Sequence, residues 1–182
     1  MYTTQKKVLI DNPSDEKVII QTKDISNFEI NSDQSKELIV KFGDVELIVD
    51  NKKTYKFNLG PDYEYLINPT SETYYIETIH LFTSQRGKDD FDKEFGQLKS
   101  TVEGFEVTGQ FERIGSTIAI KKTWTFGFDE EPTINGRIKT SSNKGYYKFK
   151  KIHRKKDISR KLISQMLDGI KLSEEINSGN NE

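Results

Sequence analysis

Not one of the 182 residues is a cysteine. Disulfide staples, thiolate-held zinc and thiol nucleophiles are thereby excluded. Alanine is almost as scarce, with Ala119 the single instance, while Ile, Phe and Tyr are plentiful. A chain short of the best helix former and rich in β-branched and aromatic residues turns toward sheet. Histidine occurs only at His80 and His153, and there is no Gly-x-Ser-x-Gly elbow to expose a nucleophilic serine. A Ser-His-Asp arrangement therefore has little to build on. Gly87-Lys88 lacks the upstream glycine of a phosphate-binding loop. Near the start, the apolar run Val8-Leu9-Ile10 is far too short for a leader core or a membrane span. A soluble, cytoplasmic protein without a cofactor is the expectation.

What the chain does have is charge. Charged residues make up 31% and apolar residues 33%, so any core must come from a few bulky side chains. Residues 1–135 carry 16 basic against 24 acidic side chains, and residues 136–182 carry 12 against 5. Such a split steers an acidic partner toward one end or lets the halves attract each other. Richness in Ile, Lys and Asn points to an AT-rich, bacterial genome.

Short alternating apolar runs broken by turn residues every 8–12 positions predict a β-sandwich over residues 1–84. Strands are expected over 5–10 and 17–22, joined by Asp11-Asn12-Pro13-Ser14-Asp15-Glu16, where Pro13 fixes φ and the polar side chains bond local backbone. Leu38, Val40 and Phe42 alternate before Gly43-Asp44, and Val45, Leu47 and Val49 after it. That reads as a tight hairpin with glycine at the φ > 0 position. Thr73–Phe82 is apolar on both faces toward its end, as in a strand covered on both sides. No internal repeat is evident.

Residues 85–103 are expected to connect two halves through a short helix opening at Asp89-Asp90 and carrying Phe91, Phe95 and Leu98 at helical spacing. Gly104–Pro132 reads as one long hairpin turning near Ile114-Gly115-Ser116, with Trp124 in its apolar face. A strand through Ile134 and Ile138, a loop over 140–145 and a last strand over Tyr146–Ile152 follow. Asp157 then caps an amphipathic helix bearing Ile158, Leu162, Ile163, Met166, Leu167 and Ile170. Residues 104–176 thus form a second antiparallel sheet packed by a C-terminal helix, with a frayed tail over 177–182. The fold class is mainly β, an α+β arrangement.

Two clusters carry candidate chemistry. Lys148, Lys150, Lys151, Arg154, Lys155 and Arg160 surround Tyr146, Tyr147 and Phe149. Cations for phosphates and rings for bases could make a single-strand binder. Lys144-Gly145-Tyr146 even opens like an RNA-recognition strand, but the pattern departs at Tyr147 and Lys148. The competing reading keeps the rings in the core and the lysines wet. Asp129, Glu130 and Glu131 form an acidic surface before Pro132, more in keeping with a solvated turn than with a metal site. The acids of Asp89–Glu94 fail the calcium-loop pattern at Phe95 and Thr101. His80, in an apolar strand, reads as a packed histidine and His153, in a basic run, as a solvated one. The expectation is a non-catalytic protein-binding module, such as an immunity or accessory protein of a bacterial toxin, defence or secretion system. A nucleic-acid binder using 144–161 and an enzyme with a carboxylate acid–base site are the alternatives.

Overall fold

The computed structural model describes residues 5–23, 25–133, 145–164 and 167. The strand through Ile134 and Ile138, most of the 140–145 loop, the helix end at Met166 and Ile170 and the tail over 177–182 lie outside the described residues. The fold is mainly β with two helices. The strands are β1 Gln5–Asn12, β2 Val18–Thr22, β3 Ile25–Ile30, β4 Gln34–Lys41, β5 Gly43–Val49, β6 Lys53–Leu59, β7 Tyr65–Ile67, β8 Tyr74–Phe82, β9 Lys99–Val102, β10 Phe105–Thr108, β11 Gln110–Ile114, β12 Ala119–Lys121 and β13 Tyr146–Arg154. Helix α1 is Gln85–Phe95, and α2 covers 155–164. The chain divides into two compact units, one of Met1–Thr73 with Ile114–Thr123 and the other of Tyr74–Arg113 with Trp124–Glu182.

The first unit holds two four-stranded sheets, ordered β12-β7-β1-β4 and β3-β2-β5-β6. Its apolar cluster draws Val8, Ile10 and Ile67 from one sheet and Ile20, Leu47 and Leu59 from the other. Alternation supplies this, because every second side chain of each strand faces inward. The expected hairpin at Gly43-Asp44 does not form. β4 pairs with β1, whereas β5 pairs with β2 and β6. Gly43, at φ 98, turns the chain from one sheet to the other. Leu38 and Val45 point into one core either way, so the pattern that suggested a hairpin fits a corner equally well.

β1 and β7 run side by side and parallel, with Leu9 beside Leu66 and Ile10 beside Ile67. Each ends on a similar five-residue turn, Asn12-Pro13-Ser14-Asp15-Glu16 and Asn68-Pro69-Thr70-Ser71-Glu72, in which Asn, Pro and Glu coincide. This echo is a short internal repeat, where the apolar pattern predicts none. Both asparagines are fully buried. The Asn12 amide donates to the Glu16 carbonyl at 2.7 Å and to that of Ile30 at 3.0 Å, and its oxygen accepts from the Ser14 hydroxyl at 2.6 Å. The Asn68 amide donates to the Glu72 carbonyl at 2.8 Å, and its oxygen accepts from the Glu72 N–H at 3.2 Å. A buried amide persists because every lone pair and N–H finds a partner. Proline in second place also keeps either turn from being an Asn-x-Ser/Thr glycosylation acceptor.

In the second unit β11, β8 and β13 form a three-stranded sheet in that order, and β9 and β10 form a hairpin. The long hairpin expected over Gly104–Pro132 is therefore distributed. Gly104 sits in the β9–β10 turn at φ 87, and Gly109, at φ 121, separates β10 from β11. β11 joins β8, while β12 joins β7 in the first unit. Trp124 and Phe126 follow β12 without continuing it and are buried. Helix α1 opens four residues before Asp89, because the Ser84 hydroxyl caps it by accepting from the Gly87 N–H at 3.1 Å. It stops at Gly96, φ 62, and excludes Leu98. α2 begins at 155, so Asp157 lies in its first turn and does not cap it. Its buried stripe, Ile158 and Leu162, packs on Tyr75, Val102 and Val107.

Asn12→Ala and Asn68→Ala each strand buried carbonyls and should cost about 1–3 kcal/mol. Trp124→Ala should cost about 3–5 kcal/mol. Urea unfolding with an unchanged m-value checks all three. An Asn variant as stable as the parent would show its turn to be held by something else.

Candidate functional site

β8 and β13 are antiparallel neighbours in which Tyr75 stands opposite His153, Glu77 opposite Lys151 and His80 opposite Lys148. The alternation of side chains puts Tyr75, Glu77, Lys151 and His153 on the face covered by α2, and Tyr74, His80, Lys148, Lys150 and Arg154 on the other.

The α2 face carries two linked carboxylates. His153 Nε2 donates to Glu77 Oε2 at 2.8 Å, with side-chain exposures of only 13% and 17%. Lys161 of α2 lies 4.0 Å from the other Glu77 oxygen, and the Phe111 ring flanks the imidazole at 6.3 Å. Burial pushes the Glu77 carboxyl up, but the His153 hydrogen bond together with the Lys161, His153 and Lys151 charges outweighs it and holds Glu77 below the ordinary 4.5. Glu103 occupies the two-residue β9–β10 turn at φ 50, a left-handed conformation that costs a side chain other than glycine or asparagine about 1 kcal/mol. Its carboxylate accepts from the Tyr75 hydroxyl and pairs with Lys155 at 2.8 Å. Lys155 and Tyr75 hold Glu103 below the usual carboxylate range, while burial and the Glu103 contact push the Tyr75 phenol up.

On the opposite face, His80 packs on Phe91 at 4.6 Å and on Tyr146 at 5.5 Å. Burial pushes its imidazolium below the ordinary 6.5, and Lys148 adds to the shift. His80 is thus packed, as expected of it. His153 is not the solvated residue expected; it is the half-buried partner of Glu77. A glutamate inside the otherwise apolar run Tyr74–Phe82 was the available signal, because a carboxylate in a strand covered on both faces requires a cation.

The structure does not gather the six basic residues into one patch. Lys148 is exposed beside His80. Lys150 reaches Glu112 at 3.6 Å. Lys151, buried on the other face, lies 3.9 Å from Glu131. Arg154, only 4% exposed, stacks over Phe128 at 4.3 Å and lies 3.9 Å from Asp157. Lys155 is held by Glu103, and Arg160 lies 3.8 Å from Asp157. Of the acidic trio, Glu130 accepts from the Gly127 N–H at 2.7 Å, closing a turn, and Asp129 is exposed.

Tyr75, Glu77, Glu103 and His153 tie α2 and the β9–β10 turn to the sheet. Glu77 and His153 form a half-buried hydrogen-bonded pair beside Lys161 of α2. Among the described residues no group of three or more His, Cys, Asp or Glu is placed to hold a metal ion. None of their helices is long and apolar enough to cross a membrane. The first unit has a cleft of about 920 Å³ where β4, β5 and β6 meet, lined by Ile39, Val40, Val45 and Phe57. The buried hydroxyl of Thr22 on its wall has no hydrogen-bond partner. A smaller cleft of about 270 Å³ lies between the twin asparagine turns, walled by Glu16, Lys52, Pro69 and Glu72.

His80 has its pKa lowered by folding, so the stability it confers is complete above about 6.5 and is lost as pH falls through the folded value. Glu77 acts in the same sense at lower pH, with its contribution complete above about 4.5 and lost as pH falls through the depressed value. Urea midpoints should therefore decline in two stages on acidification. His80→Phe should remove the upper stage, and Glu77→Gln should reduce the lower one, to which Glu103 also contributes; a Glu77→Gln profile matching the parent below pH 4.5 would refute the assignment. No protein-family model, curated protein or solved structure matches the chain.

Proposed function

We propose that the chain is a non-catalytic protein-binding module. The observation that carries this reading is the second apolar stripe of α2. Ile158 and Leu162 are buried, yet Ile163 and Leu167, four residues apart on another side of the helix, stand 57% and 53% exposed. Residues at i and i+4 form one continuous strip, and an exposed apolar strip of this kind is a natural contact for a groove on another protein. The pairing of Lys150, Lys151, Arg154, Lys155 and Arg160 with acids of the same chain also favours it over nucleic-acid binding, which needs cations turned outward in concert. An immunity or accessory role in a bacterial toxin, defence or secretion system is one form such a module would take.

Capture with the full chain from its native lysate should recover one protein in stoichiometric amount. Ile163→Lys with Leu167→Lys should release that protein while leaving the circular dichroism unchanged. On a phosphate-bearing column, Lys148→Gln with Arg160→Gln should elute at the parent's salt concentration. A large drop in that concentration, with no protein captured, would favour the nucleic-acid reading.

A further inference from the structure

The open edge of β4 is built to pair with itself. We propose that two copies of this chain join antiparallel through β4, with Ile39 of each copy on the twofold axis. Among the described residues, β4 forms one edge of its sheet and pairs with β1 alone. Every second N–H and C=O of such a strand points away from its neighbour and can accept another strand. Ile39 is the most exposed large apolar residue described, at 65%. It is flanked on the same face by Glu37 and Lys41, both exposed.

Charge complementarity selects the occupant. In an antiparallel pair centred on Ile39, Glu37 of each copy stands opposite Lys41 of the other, so one register makes two opposite-charge pairs around an apolar contact. Leu38 then faces Val40 of the second copy on the inner side, where both are half-buried against the core. Val40 also lines the 920 Å³ cleft beside this edge. Lys7 lies 2.5 Å from one Glu37 carboxylate oxygen, and a carboxylate can accept a second cation through its other oxygen. The edge strand β6 offers no such match. Its outward face is centred on Lys56, which would meet its own copy as a like charge. The pairing is independent of the α2 reading, since it concerns the first unit and needs no foreign protein.

The full chain should sediment at twice the monomer mass, with dissociation on dilution. Glu37→Lys and Lys41→Glu should each weaken the homodimer by about tenfold or more, through two lost pairs and two like-charge contacts. An equimolar mixture of the two single variants should form a heterodimer at least as tightly as the parent, because every cross-strand pair in it is again of opposite sign. The double variant should recover self-association. Circular dichroism establishes that each variant is folded; if either charge variant lost its fold, Ile39→Lys supplies the disrupting change at an exposed position. A parent chain that stays monomeric at every concentration overturns the proposal. So does a dimer indifferent to these changes, or folded single variants that fail to pair on mixing.

Discussion

Asn68 is where two passages of the chain are tied together. Its side chain closes the turn that leads to Thr73, the last residue before the path leaves the first unit. Its own N–H donates at 2.8 Å to the Ile118 carbonyl, and its amide reaches the Thr117 carbonyl at 3.4 Å, in the segment that returns as β12. β7 is only three residues long, yet it is flanked by β1 on one side and β12 on the other. A strand so short has few ladder bonds of its own, so the buried amide that fixes its end contributes out of proportion to its size. Asn12 does the same at the end of β1 and adds a bond to the Ile30 carbonyl of β3, in the opposite sheet. Both sheets of the unit are thus fastened at one end by side chains that belong to turns.

The second unit is fastened differently, by charge. Lys155 and Lys161 of α2 reach down to Glu103 and Glu77, and His153 completes the latter. Buried or half-buried ion pairs add little net stability, since desolvation offsets most of the attraction, but removing one partner is costly. Their effect here is to fix where α2 lies, while Ile158 and Leu162 supply the apolar burial that keeps it there. This also accounts for the uneven charge of the chain. The basic C-terminal stretch faces acids drawn from β8, the β9–β10 turn, β11 and Glu131, so much of the segregation seen along the sequence is cancelled by folding.

Much of this was legible in the residues. The strand at Tyr74–Phe82, with its first three side chains buried, the strand at Tyr146–Arg154, the core position of Trp124 and the buried stripe of α2 all follow from periodicity and bulk. Periodicity fixes which face of a strand is inward, not which strand lies beside it. That is why Gly43 turned a corner where a hairpin was expected, and why the alternation of Phe105, Val107, Ile118 and Ile120 was divided among different partners. His153 reads as solvated because five of the six residues within three positions of it are basic, while the acid that orders it is 76 positions away. The twin turns are invisible to apolar periodicity, because the repeat lies in five residues that carry no apolar alternation.

The edge strands show the same limit from the other side. A free edge is a hazard, and charged side chains on it ordinarily keep other strands off. On β6 that suffices, since its outward face carries a single charge, Lys56, between Thr54 and Asn58. On β4 the charges alternate in sign about an apolar centre, Glu37, Ile39 and Lys41. Such an edge rejects most neighbours while matching its own reverse. Selectivity of this kind needs no additional residue, only the order of three side chains along one face. Because both opposite-charge pairs can form together only when the strands run antiparallel and in that single register, the same three residues would set direction, alignment and partner at once.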